Sequence, residues 1–381
     1  VKIGLNGQHL LIEKLAGPEV YTFNTFRSFA KIDQANEYIV YFDRQPSEKL
    51  WQELSLGNPN FSYKVVFSPL SWTHVALAKQ LFKDRVDVFF NAVHTIPLFR
   101  PPKTVFVSMV HGLEYKVNRN LKKFSFKYLV HPLILWRVMR FSKLVIVPSV
   151  SVKKAISNLS WPFIDQEKVR VVPEGVNDTY YKRGREEIDK IREKYKIGAG
   201  RYLFFVSTIQ PRKNIPRMVH GFSLALEENK DLRDAKLLIS GKLGWMYQDS
   251  LDAPKKYGVQ DNVMFLGRTP DVDLPILYSG AEYFINLSLE EGFGIPLLEA
   301  MACETPAIVS DIPAFRELGR EFPIYVDPYS IYSIRDGIKK ALTKKRPAED
   351  IKKAREISQK YTWENTAEQL LTLFQSLVKH L

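Results

Sequence analysis

Residues 283–302 read YFINLSLEEGFGIPLLEAMA, and their reading decides the fold. The run YFINLS suits a strand, Gly292 and Gly294 break it into a turn, and LLEAMA supplies strong helix formers. Pro296 fits the first position of that helix, where its missing N–H would have had no partner. Strand, tight turn and helix form the half-unit from which parallel sheets are built, because parallel neighbours must be joined by a crossover. The same turn points backbone N–H groups and the positive end of a helix dipole at whatever lies beyond the strand, which makes it an anion site.

Outward from this stretch the alternation continues in both directions. Strands are expected at VKIGLN, YIVYF, YKVVF, VDVFF, TVFVSMV, KLVIVP and VRVVP in the first half, and at YLFFVST, KLLISG, VMFLG, YFINLS, PAIVSD and PIYVD in the second. A chain of 381 residues exceeds what one hydrophobic core organises, so two doubly wound α/β domains are expected. The join falls in VNDTYYKRGREEIDKIREKYKIGAG. This places residues 1–178 in a first Rossmann-like domain and 179–362 in a second, with the apolar-periodic terminal helix 363–381 docking on the first.

Composition excludes several classes. The only cysteine is Cys303, so no intrachain disulfide framework exists, and a reducing, cytoplasmic setting is expected. No H-E-x-x-H or zinc spacing occurs, VKIGLNG lacks a signal-peptide core, and YLVHPLILW is far too short to span a bilayer. The net charge of +13 is uneven: residues 1–178 hold 24 basic and 14 acidic side chains, the remainder 31 and 28. Residues 116–143 carry Lys116, Arg119, Lys122, Lys123, Lys127, Arg137, Arg140 and Lys143 without an acid, interleaved with apolar side chains, and Pro132 is expected to divide them into two helices. Such a segment suits an anionic membrane surface, the alternative being core packing with a solvated basic face.

Two glutamates, Glu291 and Glu299, bracket the glycine turn. An ionised carboxylate only accepts hydrogen bonds, so it matches a sugar diol and repels a phosphate. Carboxylates on either side of a phosphate site suggest a ligand with hydroxyls at both ends and phosphate between them, the layout of a nucleotide sugar. The alternative is a first-turn acid favouring the dipole and a solvated loop charge. Arg212 and Lys213, in VSTIQPRKNIPRMV at the end of another strand, favour the former by supplying cations for a diphosphate at the same sheet edge.

At this point the chain resembles the retaining, nucleotide-sugar-dependent glycosyltransferases of GT-B fold, group 4 type, whose motif is two glutamates separated by seven residues. SLEEGFGIPLLEAMACETP, VSTIQPRKN, LLISGKLGW and VMFLGRTPDVDLPILYSGA carry the likeness in the second half, and AGPEVY, MVHGLEY, VIVPS and VVPEGVN in the first. The resemblance implies two domains facing a cleft and a last helix, after YTW, crossing back to the first. It implies that Glu299 holds the donor ribose and Glu291 the donor sugar, that Lys213 and Arg212 hold the diphosphate, and that the backbone of Phe293, Gly294 and Ile295 caps it. Gly17 would approach from the first domain, and His111 would face the donor sugar. A core histidine bonded to backbone is the other reading of His111. The chain departs from the pattern at Thr208, where relatives often have arginine, at Ala16, where a second glycine is frequent, and at Glu304, where glycine usually follows the helix.

The implied reaction is metal-independent hexosyl transfer with retention, from GDP-mannose first or a UDP-sugar next, to a glycan or lipid-linked acceptor in cell-surface polysaccharide or glycolipid synthesis. No cofactor is expected. Asp271 and Asp273 in D-V-D read as a capping and loop feature and not a metal pair. The alternatives are a sugar-nucleotide epimerase of similar shape and a basic nucleic-acid-binding protein, for which no recognition motif is present; no nucleic-acid partner is expected.

Overall fold

A computed structural model describes residues 1–12, 17–68, 71–113, 126–159, 165–344 and 346–379 of the chain. Ala16 and residues 116–125, which include Lys116, Arg119, Lys122 and Lys123, lie outside the described residues, as does the Lys127 side chain.

The chain falls into two compact units, Val1–Gly175 with Thr362–Leu381, and Val176–Tyr361. In the first unit the strands are β1 Lys2–Asn6, β2 Glu37–Phe42, β3 Phe61–Val65, β4 Val88–Asn91, β5 Val105–Met109, β6 Leu144–Val147 and β7 Val169–Val171. They form one sheet in the order β3-β2-β1-β4-β5-β6-β7. The second unit holds β8 Tyr202–Val206, β9 Lys236–Ser240, β10 Val263–Gly267, β11 Tyr283–Asn286, β12 Ala307–Ser310 and β13 Ile324–Val326, ordered β10-β9-β8-β11-β12-β13. Every strand pair is parallel. The expected α/β class with two parallel sheets is therefore observed.

Burial on both faces explains why these strands read as almost unbroken apolar runs. Along β8, Leu203 and Phe205 enter one core while Tyr202 and Phe204 enter the other. Helices cover each face. In the first unit the helix Gly17–Ile32 and the last helix, Trp363–Val378, share one side: Phe374 lies 6.0 Å from Phe29 and 5.4 Å from Phe90 between ring centres. Thr366 Oγ1 donates to Pro173 O at 2.8 Å, so the last helix returns to the first unit.

Two local expectations change. The segment with Pro132 is a single helix, Phe126–Phe141, and not two. Leu135, Val138 and Met139 are fully buried on it, and that apolar area outweighs one lost backbone bond and the ring clash, together about 3 kcal/mol. The strand expected at YKVVF runs instead over Phe61–Val65. β2 ends at Phe42, so after Val66 N bonds Phe42 O no neighbour remains to pair, and Phe67 is 81% exposed.

Each sheet reverses strand order once, between β1 and β4 and between β8 and β11. In open α/β sheets the crevice beyond the carboxyl ends at such a reversal receives ligands.

Candidate active site

At the reversal of the second sheet, the segments after β8 and β11 leave side by side. After β8 the chain makes a single turn, Pro211–Lys213, and Asn214, in left-handed conformation at φ 59°, redirects it into the helix Ile215–Glu228. After β11 the segment 287–294 bonds to that turn through Leu289 N and Arg212 O at 2.9 Å. The guanidinium of Arg212 donates to Glu290 O at 2.7 Å and to Glu291 Oε2 at 3.0 Å, and Lys213 Nζ reaches Glu291 Oε1 at 2.6 Å. Each oxygen of one carboxylate thus has its own cation. All three side chains are largely withdrawn from water, Arg212 being 6% and Lys213 5% exposed. Burial opposes ionisation of Glu291, but Lys213, Arg212 and the Ser288 hydroxyl overcome it and hold the carboxyl at about 2.

Gly294 then turns the backbone at φ 101° into the helix Ile295–Ala302, in which Pro296 is the second residue and not the first. A Cβ at Gly294 would sit 2.9 Å from the ring of Phe315, so the turn requires glycine both for its dihedral and for its contact. Phe293 is buried against Tyr361, and Ile295 opens the helix, whose first N–H groups have no carbonyl within it. Glu299 lies one turn on. Tyr278 Oη donates to its Oε2 at 2.8 Å, and the Tyr180 phenol also favours the ionised form. Removal from solvent nevertheless pushes this carboxyl up to about 7, with Asp271 adding to the rise. The two glutamates of the motif therefore sit in opposite electrostatic settings.

His111 and Gly17 belong to the first unit. His111 Nδ1 faces Glu174 Oε1 at 3.1 Å and Nε2 faces Ala92 O at 2.9 Å, so both ring nitrogens are engaged inside that unit. Tyr21 packs edge-on against the imidazole at 5.0 Å. Gly17 begins the helix Gly17–Ile32 and is exposed.

Asp273 stands at the N-cap position of the helix Leu274–Gly280 but does not cap it with its side chain. Its backbone is already right-handed helical, whereas a capping side chain needs an extended one, and the carboxylate binds Lys194 and Tyr195 instead, each at 2.6 Å. Among the described residues no three histidine, cysteine or acidic side chains are arranged to hold a metal ion. Glu304, where glycine was the expected residue, adopts φ 57° and bonds Arg355 at 2.7 Å.

Sequence reasoning gave no role to Glu174, Tyr180 or Tyr278. Each lies far along the chain from the residue it bonds, so no local spacing marks it. It also missed the brace that LLISGKLGW supplies: Gly244 N bonds Ile209 O at 2.9 Å, and Trp245 Nε1 donates to Gln210 Oε1 at 3.1 Å, directly ahead of Arg212.

Residues 187–358 match the family described as Glycosyl transferases group 1. The chain carries a glycosyl transferases group 1 domain. That domain lies within the second unit and contains Arg212, Lys213, Glu291 and Glu299. Over 201 residues the chain is 31% identical to the O-antigen chain mannosyltransferase B of Escherichia coli, covering 52% of each protein. Over 251 residues it is 32% identical to the O-antigen chain mannosyltransferase RfbU of Salmonella typhimurium, covering 65% of this chain and 62% of that one. The chain thus spans roughly half to three fifths of the length of these curated relatives. Its fold is similar to that of HepE from Anabaena, solved with UDP and glucose, with TM-score 0.76 and 17% identity over 98% of this chain and 99% of that one. The fold, two parallel-sheet α/β units of seven and six strands, accordingly matches GT-B glycosyltransferase structures.

Proposed function

We propose that the chain is a retaining glycosyltransferase that moves a hexose from a nucleotide sugar to a glycan or lipid-linked acceptor in cell-surface polysaccharide synthesis. The observation that carries this reading is the meeting of Arg212, Lys213 and Glu291 at the reversal of the second sheet, just ahead of the glycine turn and the helix that carries Glu299. Mannose is the preferred sugar and GDP-mannose the preferred donor, supported by relatives named as mannosyltransferases; a UDP-sugar is next, supported by the UDP complex of HepE.

In this reading Glu299 accepts from the ribose hydroxyls, and Lys213 and Arg212 hold the diphosphate as it departs with the electron pair of its bond to the sugar C1. The acceptor oxygen bonds C1 on the face being vacated, and its proton passes to a phosphate oxygen of the leaving group. Glu291, held ionised by its two cations, accepts from donor-sugar hydroxyls. No metal is needed for this charge balance, so turnover should survive a chelator.

A thermal-shift series tests the reading. GDP or UDP at 100 times its dissociation constant should raise the melting temperature of the second unit by about 5–10 °C. Nucleoside diphosphate should be released from the sugar nucleotide in step with acceptor addition. No shift with any nucleotide would remove the reading, and release without an acceptor would favour an epimerase.

The enzyme is further proposed to work peripherally on the inner face of a membrane, through residues 116–143. No described helix is long and apolar enough to cross one. Leu133 is 58% exposed on the helix Phe126–Phe141, beside the cations Arg137, Arg140 and Lys143. Binding to anionic liposomes should fall by about an order of magnitude when Lys122, Lys123 and Lys127 are neutralised, each cation near the surface contributing about 1 kcal/mol. Unchanged co-sedimentation would refute the membrane role.

A further inference from the structure

We infer that Tyr278 and Tyr180 are positioning residues for Glu299, which fix its carboxylate so that the acceptor sites left over match a vicinal diol. The inference rests on the reading of Glu299 as the ribose-binding carboxylate and adds to it the groups that make it selective.

An ionised carboxylate offers about four acceptor sites. Tyr278 Oη takes one on Oε2 at 2.8 Å, and the Tyr180 phenol, packed on the Tyr278 ring, also favours the ionised form. The sites left over include the two that the adjacent hydroxyls of a ribose require. Both phenols are held by their rings. Tyr278 is fully buried, edge-on to Phe204 at 5.1 Å and tilted against Phe284 at 5.4 Å, and Tyr180 packs edge-on to Tyr278 at 6.1 Å. These contacts leave the Tyr278 hydroxyl little choice of direction, so the carboxylate it holds is oriented before any ligand arrives.

The same pair offsets the cost of charge at this site. The groups facing Glu299 are Tyr278 on the helix Leu274–Gly280, Tyr180 on the segment entering the second unit, Asp271 ahead of that helix, and the buried thiol of Cys303 one turn further along its own helix. Lys182 and Arg183 act on Cys303. Asp271 and the loss of solvent favour the protonated acid, and the two phenols oppose them, with the balance near 7. A protonated Glu299 has a donor where the diol also has donors. Ribose binding should therefore strengthen as pH rises through 7, and removing either phenol should move that midpoint upward.

The experiment measures the affinity of the intact protein for GDP, UDP and their 2′-deoxy analogues between pH 5.5 and 9. Wild type should favour the ribonucleotide about 10-fold above pH 7 and bind it progressively less well below. Tyr278→Phe should lose about 10-fold at pH 7, recover most of it by pH 9, and discriminate less against the 2′-deoxy analogue. Tyr180→Phe, at a less buried ring, should do the same in smaller degree and serves if Tyr278→Phe folds poorly. Glu299→Gln should bind weakly at every pH with no inflection. A uniform loss across pH in both tyrosine variants, with discrimination intact, would overturn the positioning role while leaving the reading of Glu299 in place. Wild-type affinity in Glu299→Gln would overturn both.

Discussion

Glu291→Ala is expected to destabilise the protein by about 3–5 kcal/mol, because it removes the carboxylate that two buried cations share. Lys213 Nζ and Arg212 Nη1 each lose their bond to the carboxylate, at 2.6 and 3.0 Å, and both side chains lie beneath the surface. The pH dependence carries the same sign. A carboxyl drawn from its ordinary 4.5 to about 2 contributes stability that is complete above pH 4.5 and lost as pH falls through 2; the shift corresponds to about 3 kcal/mol. Urea unfolding of wild type and variant at pH 7 measures the difference directly, and the gap should narrow toward pH 2. A diphosphate can supply the missing negative charge, so saturating nucleoside diphosphate should recover more stability in Glu291→Ala than it adds to wild type. A loss below 1 kcal/mol would mean that the cations remain solvated and that the crevice is not the charged site described above.

The fold was legible because both faces of both sheets are covered. A strand such as YLFFV has no polar alternation to blur it, and runs of this kind separated by helical patterns admit few arrangements other than two parallel sheets. Boundaries were less legible where the neighbour decides them: β3 stops at Val65 because β2 stops at Phe42, and nothing in YKVVF says so. Pro132 misled for the opposite reason, since its local cost is real but smaller than the burial of the helix that contains it. At the site, Arg212, Lys213, Glu291 and Glu299 stood out because charged side chains at strand ends need an explanation. Tyr278 did not, because a tyrosine at helical spacing reads as core, and only the tertiary structure shows its hydroxyl 2.8 Å from Glu299. Glu174 was hidden in the same way, its partner His111 being 63 residues away.

Gly241→Ala should be as damaging as Glu291→Ala although it removes no interaction at all. Gly241 follows β9 at φ 150°, a conformation that side chains rarely adopt, and a Cβ there would overlap the carbonyl of Ser207, the first residue after β8. Neither atom can move alone. Gly241 N is bonded to Gly267 O at 2.8 Å and Ser207 N to Ser240 O at 3.0 Å, while Ile209 N to Lys242 O at 2.9 Å continues the pairing beyond the sheet. Relief of the overlap must therefore separate β8 from β9 at their carboxyl ends, and the turn Pro211–Lys213 moves with β8. Strain and overpacking together cost about 3 kcal/mol or more. Because the displaced turn carries Arg212 and Lys213, nucleotide affinity should fall along with the melting temperature. Gly258→Ala separates the two causes. Gly258 has φ 68° with nothing within 4 Å of the added carbon, so it meets only the backbone penalty, about 1 kcal/mol, and should bind nucleotide as wild type does. Equal losses in the two alanine variants would show that the dihedral alone matters and that the contact with Ser207 does not position the cations.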